Sequence, residues 1–234
     1  MKDQYFGDIN DYRKYGLLRS LADGGSLKIG ICWMLTPDDG RSHGSDTNYL
    51  DSPNGIDDCD SQLFRKLRQI VKIENSRSVF EAENNGLIPL AVYRSDKVPE
   101  LASEREAWLR RMLQIFRKTD LVFFDPDNGI EVKSKPWRTT ASPKHLYWRE
   151  IEKAWQCGHS LLIYQHFPRV ERDIYVNTRI QDLKKQTNNA SIFSFYTSRV
   201  VFLLVAQPRH LCSLHQRAAV VRETWRNQFK VTCV

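Results

Sequence analysis

The sequence predicts an α/β fold: a mostly parallel, doubly wound sheet with helices on both faces and an antiparallel hairpin toward the carboxyl end. Three observations predict it. Short, continuously apolar runs alternate with amphipathic segments of helical length, as strands buried on both faces do when helices connect them. Two of those runs end on polar residues beside a proline, Asp125-Pro126 and His166-Phe167-Pro168. Two further runs, 191–196 and 200–206, are separated by only a few residues, too few for a crossover, so they must pair antiparallel.

Taken in order, 10–22 has helical spacing through Leu17, Leu18 and Leu21, stops at Asp23-Gly24-Gly25, and has Asn10 at the expected N-cap. Residues 28–35 (KIGICWML) read as a buried parallel strand. The polar stretch 36–60, broken by Gly40, Gly44, Pro53 and Gly55, reads as a long binding loop or lid, the alternative being a disordered insertion. Residues 61–74 read as a helix, 87–93 as a strand and 102–118 as a basic amphipathic helix. Asp120 to Asp125 form the clearest strand, with four apolar residues, Leu121 to Phe124, between the two carboxylates. A helix over 143–157, a strand over 160–166, a charged helix over 169–187, the hairpin, and a closing helix over 213–229 complete the chain.

At 234 residues, the chain suits one α/β domain over 1–234. No apolar run reaches the roughly 18 residues of a membrane span. Met1-Lys2-Asp3-Gln4-Tyr5 lacks the apolar segment of a signal peptide, so a cytoplasmic protein is expected. Five scattered cysteines, none in a CxxC pair, read as reduced thiols rather than a disulfide framework or zinc site. The formal charge of +7 favours a polyanionic partner, since Lys and Arg displace counterions from phosphates. Basic residues cluster at 65–68, 105–118, 133–138 and 169–185, whereas 36–60 is acidic.

In such sheets, sites form beyond the carboxyl ends of the strands. Asp125-Pro126-Asp127-Asn128-Gly129 follows one strand end; Pro126 stiffens the exit and Gly129 permits a tight turn. Two carboxylates and an amide there suit orienting water, stabilising a cation or reading a base edge; the plainer alternative is a turn with Asp side chains on backbone amides. Tyr164-Gln165-His166-Phe167-Pro168-Arg169 follows another strand end. Here His166 suits a general acid, Tyr164 or Phe167 a stacking surface for a base, and Arg169 a phosphate contact. The stretch from Gly7 to Gly16 is polar, aromatic and basic, and is expected to line the same pocket, with Asn10 and Tyr15 foremost. There is no GxGxxG or GxxxxGK[ST], no HExxH and no GxSxG, which leaves nucleotide cradles, zincin sites and serine-hydrolase elbows without support.

Two resemblances attach to these residues. Gly7-Asp8-Ile9-Asn10-Asp11-Tyr12-Arg13-Lys14-Tyr15 and Asp125-Pro126-Asp127-Asn128 are similar in outline to the opening stretch and the Asp-Pro-Pro-Tyr motif of Rossmann-type methyltransferases acting on an adenine of large-subunit ribosomal RNA. Asn128 stands where that family's aromatic stands, and no glycine-rich cofactor loop follows 28–35. Phe124-Asp125-Pro126-Asp127-Asn128 and Gln165-His166-Phe167-Pro168, in that order, resemble the water-activating aspartate motif and histidine segment of the uracil-DNA glycosylase superfamily. Over its whole length, the sequence also resembles anti-phage DNA glycosylases that remove glucosylated hydroxymethylcytosine from viral DNA.

The glycosylase resemblance implies hydrolysis of an N-glycosidic bond in phage DNA with no metal or organic cofactor. Asp127 or Asp125 would orient water and stabilise the oxocarbenium-like cation. Asn128 or Asn10 would read the base or sugar, and His166 would assist departure of the base. The alternatives are an S-adenosylmethionine-dependent adenine methyltransferase, a non-catalytic nucleic-acid-binding relic of that fold, and, more remotely, a magnesium nuclease.

Overall fold

The computed structural model describes residues 1–37 and 46–233. Part of the expected 36–60 loop, residues 38–45, lies outside the described residues.

The fold is α/β. Seven strands form one sheet in the order β2 (Val92–Arg94), β1 (Ile29–Cys32), β3 (Leu121–Phe124), β6 (Ser160–His166), β8 (Val200–Ala206), β7 (Ser191–Tyr196) and β9 (Lys230–Cys233). The first four run parallel, and β6, β8, β7 and β9 pair antiparallel in turn. A separate two-residue parallel pair joins β4 (Gly129–Ile130) to β5 (His145–Leu146). The strand order turns back between β1 and β3, which makes their carboxyl ends a topological switch point.

The period of two along each strand divides the core. Leu121, Phe123, Leu162, Phe193, Phe195, Phe202 and Leu204 face a layer holding α1 (Ile9–Ala22), α2 (Ser61–Arg68) and α7 (Leu211–Thr224). Val122, Phe124, Leu161, Ile163, Leu203 and Val205 face α4 (Ala102–Ile115), α5 (Trp148–Gln156) and α6 (Arg172–Gln186). Every residue of β8 is buried, as its apolar run requires. Among the described residues, no helix is long and apolar enough to cross a membrane.

Several boundaries differ from the sequence reading, each for a physical reason. Asp8, not Asn10, caps α1: its Oδ1 accepts the Asn10 backbone N–H at 2.8 Å and the Asn10 side-chain N–H at 3.0 Å. β1 ends at Cys32 because Met34 takes a left-handed conformation, φ 47°, that breaks the ladder. Stretch 46–60 is anchored to the core at Tyr49, Leu50 and Ile56, which are buried, and the Tyr49 hydroxyl donates to Gly7 O at 3.2 Å. α2 continues as one wide turn, Gln69–Ile73. The expected strand 87–93 narrows to β2: Leu87 and Ile88 are core residues, and Leu90 turns at φ 57°. A short helix, α3 (Phe80–Asn84), was not expected.

The helix expected over 143–157 begins only at Trp148, because His145 and Leu146 pair with β4. The closing helix stops at Thr224: Trp225 is buried where the chain reverses, and the last residues form β9 instead. Arg105 belongs to no basic surface. It is fully buried and paired to Glu150 at 2.8 Å, and it donates to the carbonyls of Ser142 at 2.7 Å and His145 at 2.6 Å. The ion pair ties α5 to α4, and the two carbonyl bonds tie the 131–147 segment to α4.

Candidate active site

The floor of the site is a buried chain of charges. Asp125 leaves β3 at the switch point, its N–H still bonded to Cys32 O of β1 at 3.1 Å. α1 aims Asp11, Lys14 and Tyr15 at the same point, because residues three and four apart share a helix face. The Lys14 ammonium sits 2.7 Å from Asp11 Oδ1 and 2.7 Å from Asp125 Oδ2, with all three side chains almost wholly buried. Asp11 Oδ2 also accepts from the Gly7 N–H and the Tyr15 hydroxyl, both at 3.2 Å.

Burial pushes the Asp11 carboxyl up to about 6, with Lys14 opposing. For Lys14, burial works against the charge, but the two carboxylates outweigh it and hold the ammonium above its ordinary value. One ammonium between two buried carboxylates cannot neutralise both, so Asp11 gives up its charge more easily than an ordinary aspartate.

Asp127 stands on the loop beyond. Its Oδ1 is 2.7 Å from the Met1 α-ammonium, which also donates to Asp125 O at 3.0 Å and Met34 O at 3.2 Å. The Thr36 hydroxyl donates to Oδ2 at 2.5 Å. Burial alone would raise this carboxyl; the ammonium and the hydroxyl together outweigh it, so Asp127 titrates below the usual range and stays ionised at neutral pH. Oδ1 is closed to solvent, which suits stabilising a nearby cation better than activating a water.

Gln165 of β6 fixes the loop. Its Oε1 accepts the Ile130 N–H at 2.8 Å, and its Nε2 donates to Asn128 O at 3.0 Å and His166 O at 2.8 Å. Gly129 makes this approach possible. Its φ is 102°, and a Cβ there would lie 2.3 Å from the Gln165 side chain.

Above this floor lies a cavity of about 490 Å³. Six predicted residues converge on it: Asp125, Asp127, Asn128, Tyr164, His166 and Asn10. Burial, followed by Arg172 and Arg199, pushes the His166 imidazole below its ordinary value, so it is neutral at pH 7. Tyr164 is raised well above the ordinary phenol, by burial first and then by Asp125 and Asp11, so it stays protonated.

Three predicted residues lie elsewhere. Tyr15 is fully buried behind the floor, its hydroxyl on Asp11. Phe167 is buried in the other core layer against Tyr175 and Tyr196, so it has no face to offer a base. Arg169 is exposed and outside the cavity lining.

Of the Gly7–Gly16 stretch expected at this pocket, Asp8, Asn10, Asp11 and Lys14 line the cavity; sequence reasoning did not single out Tyr5, Arg199 or the Met1 ammonium, which line it too. The 8, 11, 15 spacing on α1 carried a signal, because it lines polar residues along the face turned to the sheet. Nothing local marks Arg199 or the Met1 ammonium, which reach the site only through tertiary structure. Among the described residues, no group of three His, Cys, Asp or Glu side chains is arranged to hold a metal ion. No family model matches the chain, and no curated protein matches it.

Proposed function

We propose that this protein is a DNA glycosylase that hydrolyses the N-glycosidic bond of a bulky modified cytosine, glucosylated hydroxymethylcytosine in phage DNA, and leaves an abasic site. The observation that carries the reading is the charge layout of the cavity. Its lining holds four carboxylates, Asp8, Asp11, Asp125 and Asp127, against two ammonium groups and Arg199. An excess of fixed negative charge in a water-poor site stabilises a cation that develops there. Breaking the bond from C1′ to the base sends the electron pair to the base and leaves positive charge shared between C1′ and the ring oxygen. Ionised Asp127, beside Asp125, is suited to hold that charge until water adds at C1′ and its proton passes to the departed base.

Asn128 and Asn10 present amides that suit a base or sugar edge, and Tyr164 presents an aromatic surface. His166, neutral at pH 7, would hydrogen-bond the departing base rather than protonate it from an imidazolium. The volume falls within the roughly 300–1,000 Å³ of small-molecule sites and leaves room for a substituent on the base. Such a base must leave the duplex to enter.

The test is an incubation of the protein, without metal or cofactor, with plain DNA and with DNA carrying glucosylated hydroxymethylcytosine. Released base is read by mass spectrometry, and abasic sites by alkaline cleavage. The expected outcome is release from the modified DNA only, reduced at least about 10²-fold in Asp127→Asn, the scale on which a fixed electrostatic group acts. Release unaffected by both Asp127→Asn and Asp125→Asn would overturn the assignment.

The methyltransferase alternative needs a cofactor site beyond β1. There Trp33 and Met34 are fully buried, and the Met1 ammonium bonds Met34 O, so these residues do not form a cofactor cradle. Calorimetric titration with S-adenosylmethionine discriminates: measurable heat of binding favours that reading.

A further inference from the structure

A second concavity, an open groove of about 680 Å³, adjoins the first across the 197–199 turn between β7 and β8. Thr197 and Ser198 line the groove, while Arg199 and Val200 line the cavity. The turn is held from both sides: Arg172 Nε donates to Ser198 O at 3.0 Å, and the Phe167 N–H donates to Arg199 O at 3.0 Å. Arg13 spans the same divide. Its Nη1 donates to Asn10 Oδ1 of the cavity at 3.3 Å, and its Nε and Nη2 donate to Gln228 Oε1 of the groove at 3.0 and 2.9 Å.

Among the described residues, the side-chain hydrogen-bond partners of Arg13 are the neutral amides of Asn10 and Gln228. Among the described residues, Arg13, Arg199 and Arg226 form no ion pair. Burial weakens the charge of the Arg13 guanidinium most; the nearby carboxylates of Asp8 and Asp46 support it, and Arg199, standing close by, opposes them more weakly. Arg199 and Arg226, outside any ion pair among the described residues and flanking the turn with Arg13, are arranged for an anion from outside, and a phosphodiester matches the guanidinium fork.

We propose that a single nucleic-acid strand crosses the 197–199 turn, its phosphates on Arg199, Arg13 and Arg226, its flanking nucleotides in the groove and its reacting base in the cavity. The inference rests on the glycosylase reading for the identity of that base. The backbone path itself is fixed by the arginines and would serve any reaction on an extruded nucleotide.

The experiment measures binding of a fluorescein-labelled, unmodified single-stranded oligonucleotide to the full chain by anisotropy, between about 50 and about 200 mM salt. Arg199→Ala and Arg226→Ala are compared with their Lys counterparts and with Arg117→Ala. Arg117 is exposed between α4 and β3, at the amino-terminal end of β3 and away from the cavity beyond its carboxyl end. Each ridge alanine should weaken binding several-fold and lower the slope of log K against log salt by about 0.7, the value for one lost single-strand phosphate contact. The lysine variants and Arg117→Ala should keep the wild-type slope. Normal slopes in both ridge alanines, with wild-type binding intact, overturn the path and leave the glycosylase reading to the base-release assay. Absence of any wild-type binding at about 50 mM salt overturns the path and removes support for a nucleic-acid substrate.

Discussion

Asp11 illustrates how one residue ties the site to pH. Its carboxyl is pushed up to about 6 by burial, although Lys14 stands 2.7 Å away. The folded protein therefore binds a proton more tightly at this position than the unfolded chain, whose aspartate titrates near the ordinary value of 3.8. A raised value means that the stabilising contribution is fully present below about 3.8 and is lost as pH rises through about 6. Asp127 has the opposite sign: its contribution is present above 3.8 and is lost only as pH falls through its lowered value. His145, His159, His166 and His210 are also lowered, by burial first, and oppose Asp11 over the same window. The expected outcome is thus a difference. Between pH 4 and pH 6.5, thermal midpoints of Asp11→Asn should rise relative to wild type, because the variant lacks the titration that penalises the folded state. Parallel pH profiles for the two proteins would show that Asp11 has an ordinary pKa.

At the scale of elements, the β3–β4 connection is the part on which the site depends most, and Gly129 is its narrowest point. Gly129→Ala places a side chain at φ 102° and 2.3 Å from Gln165. The backbone strain alone costs about 1–3 kcal/mol, and Gln165 cannot retreat without releasing Asn128 and Ile130. Urea denaturation should show a loss of at least that size, and base release should fall further than stability explains, because Asn128 moves with the loop. An alanine variant of unchanged stability would refute the packing argument.

Sequence legibility follows the same division. β3, β6, β7 and β8 were readable because strands buried on both faces are continuous apolar runs. β5 and β9 were not, because only tertiary pairing makes His145–Leu146 and Lys230–Cys233 extended. Asp125 and His166 were readable as strand-end residues. Phe167 was misread because aromatic character alone does not tell which side of a strand a side chain occupies. The sequence did not mark the ion pairs and hydrogen bonds of Lys14 and Gln165, which depend on partners more than 30 residues away.

Around the cavity, charge is sorted by depth. The carboxylates of Asp11 and Asp125 lie beneath the surface with Lys14, while Arg199, Arg226 and the loop cations Lys133, Lys135 and Lys144 are exposed. The two populations face different dielectric surroundings, so salt acts on them differently. Exposed cations meeting phosphates exchange counterions with the solution, and affinity falls by powers of ten over a modest rise in salt. Buried carboxylates facing a developing cation are screened far less, since mobile ions do not enter a filled cavity. The proposed glycosylase should therefore separate the two effects in single-turnover experiments on modified DNA. Between about 50 and about 200 mM salt, the DNA concentration giving half-maximal rate should rise at least about tenfold. The limiting rate at saturating DNA should change by less than about twofold, the behaviour of charges that ions do not reach. A limiting rate that falls in step with affinity would mean that the catalytic charges are open to solvent, and the separation of an acidic interior from a basic rim would not be the basis of the chemistry.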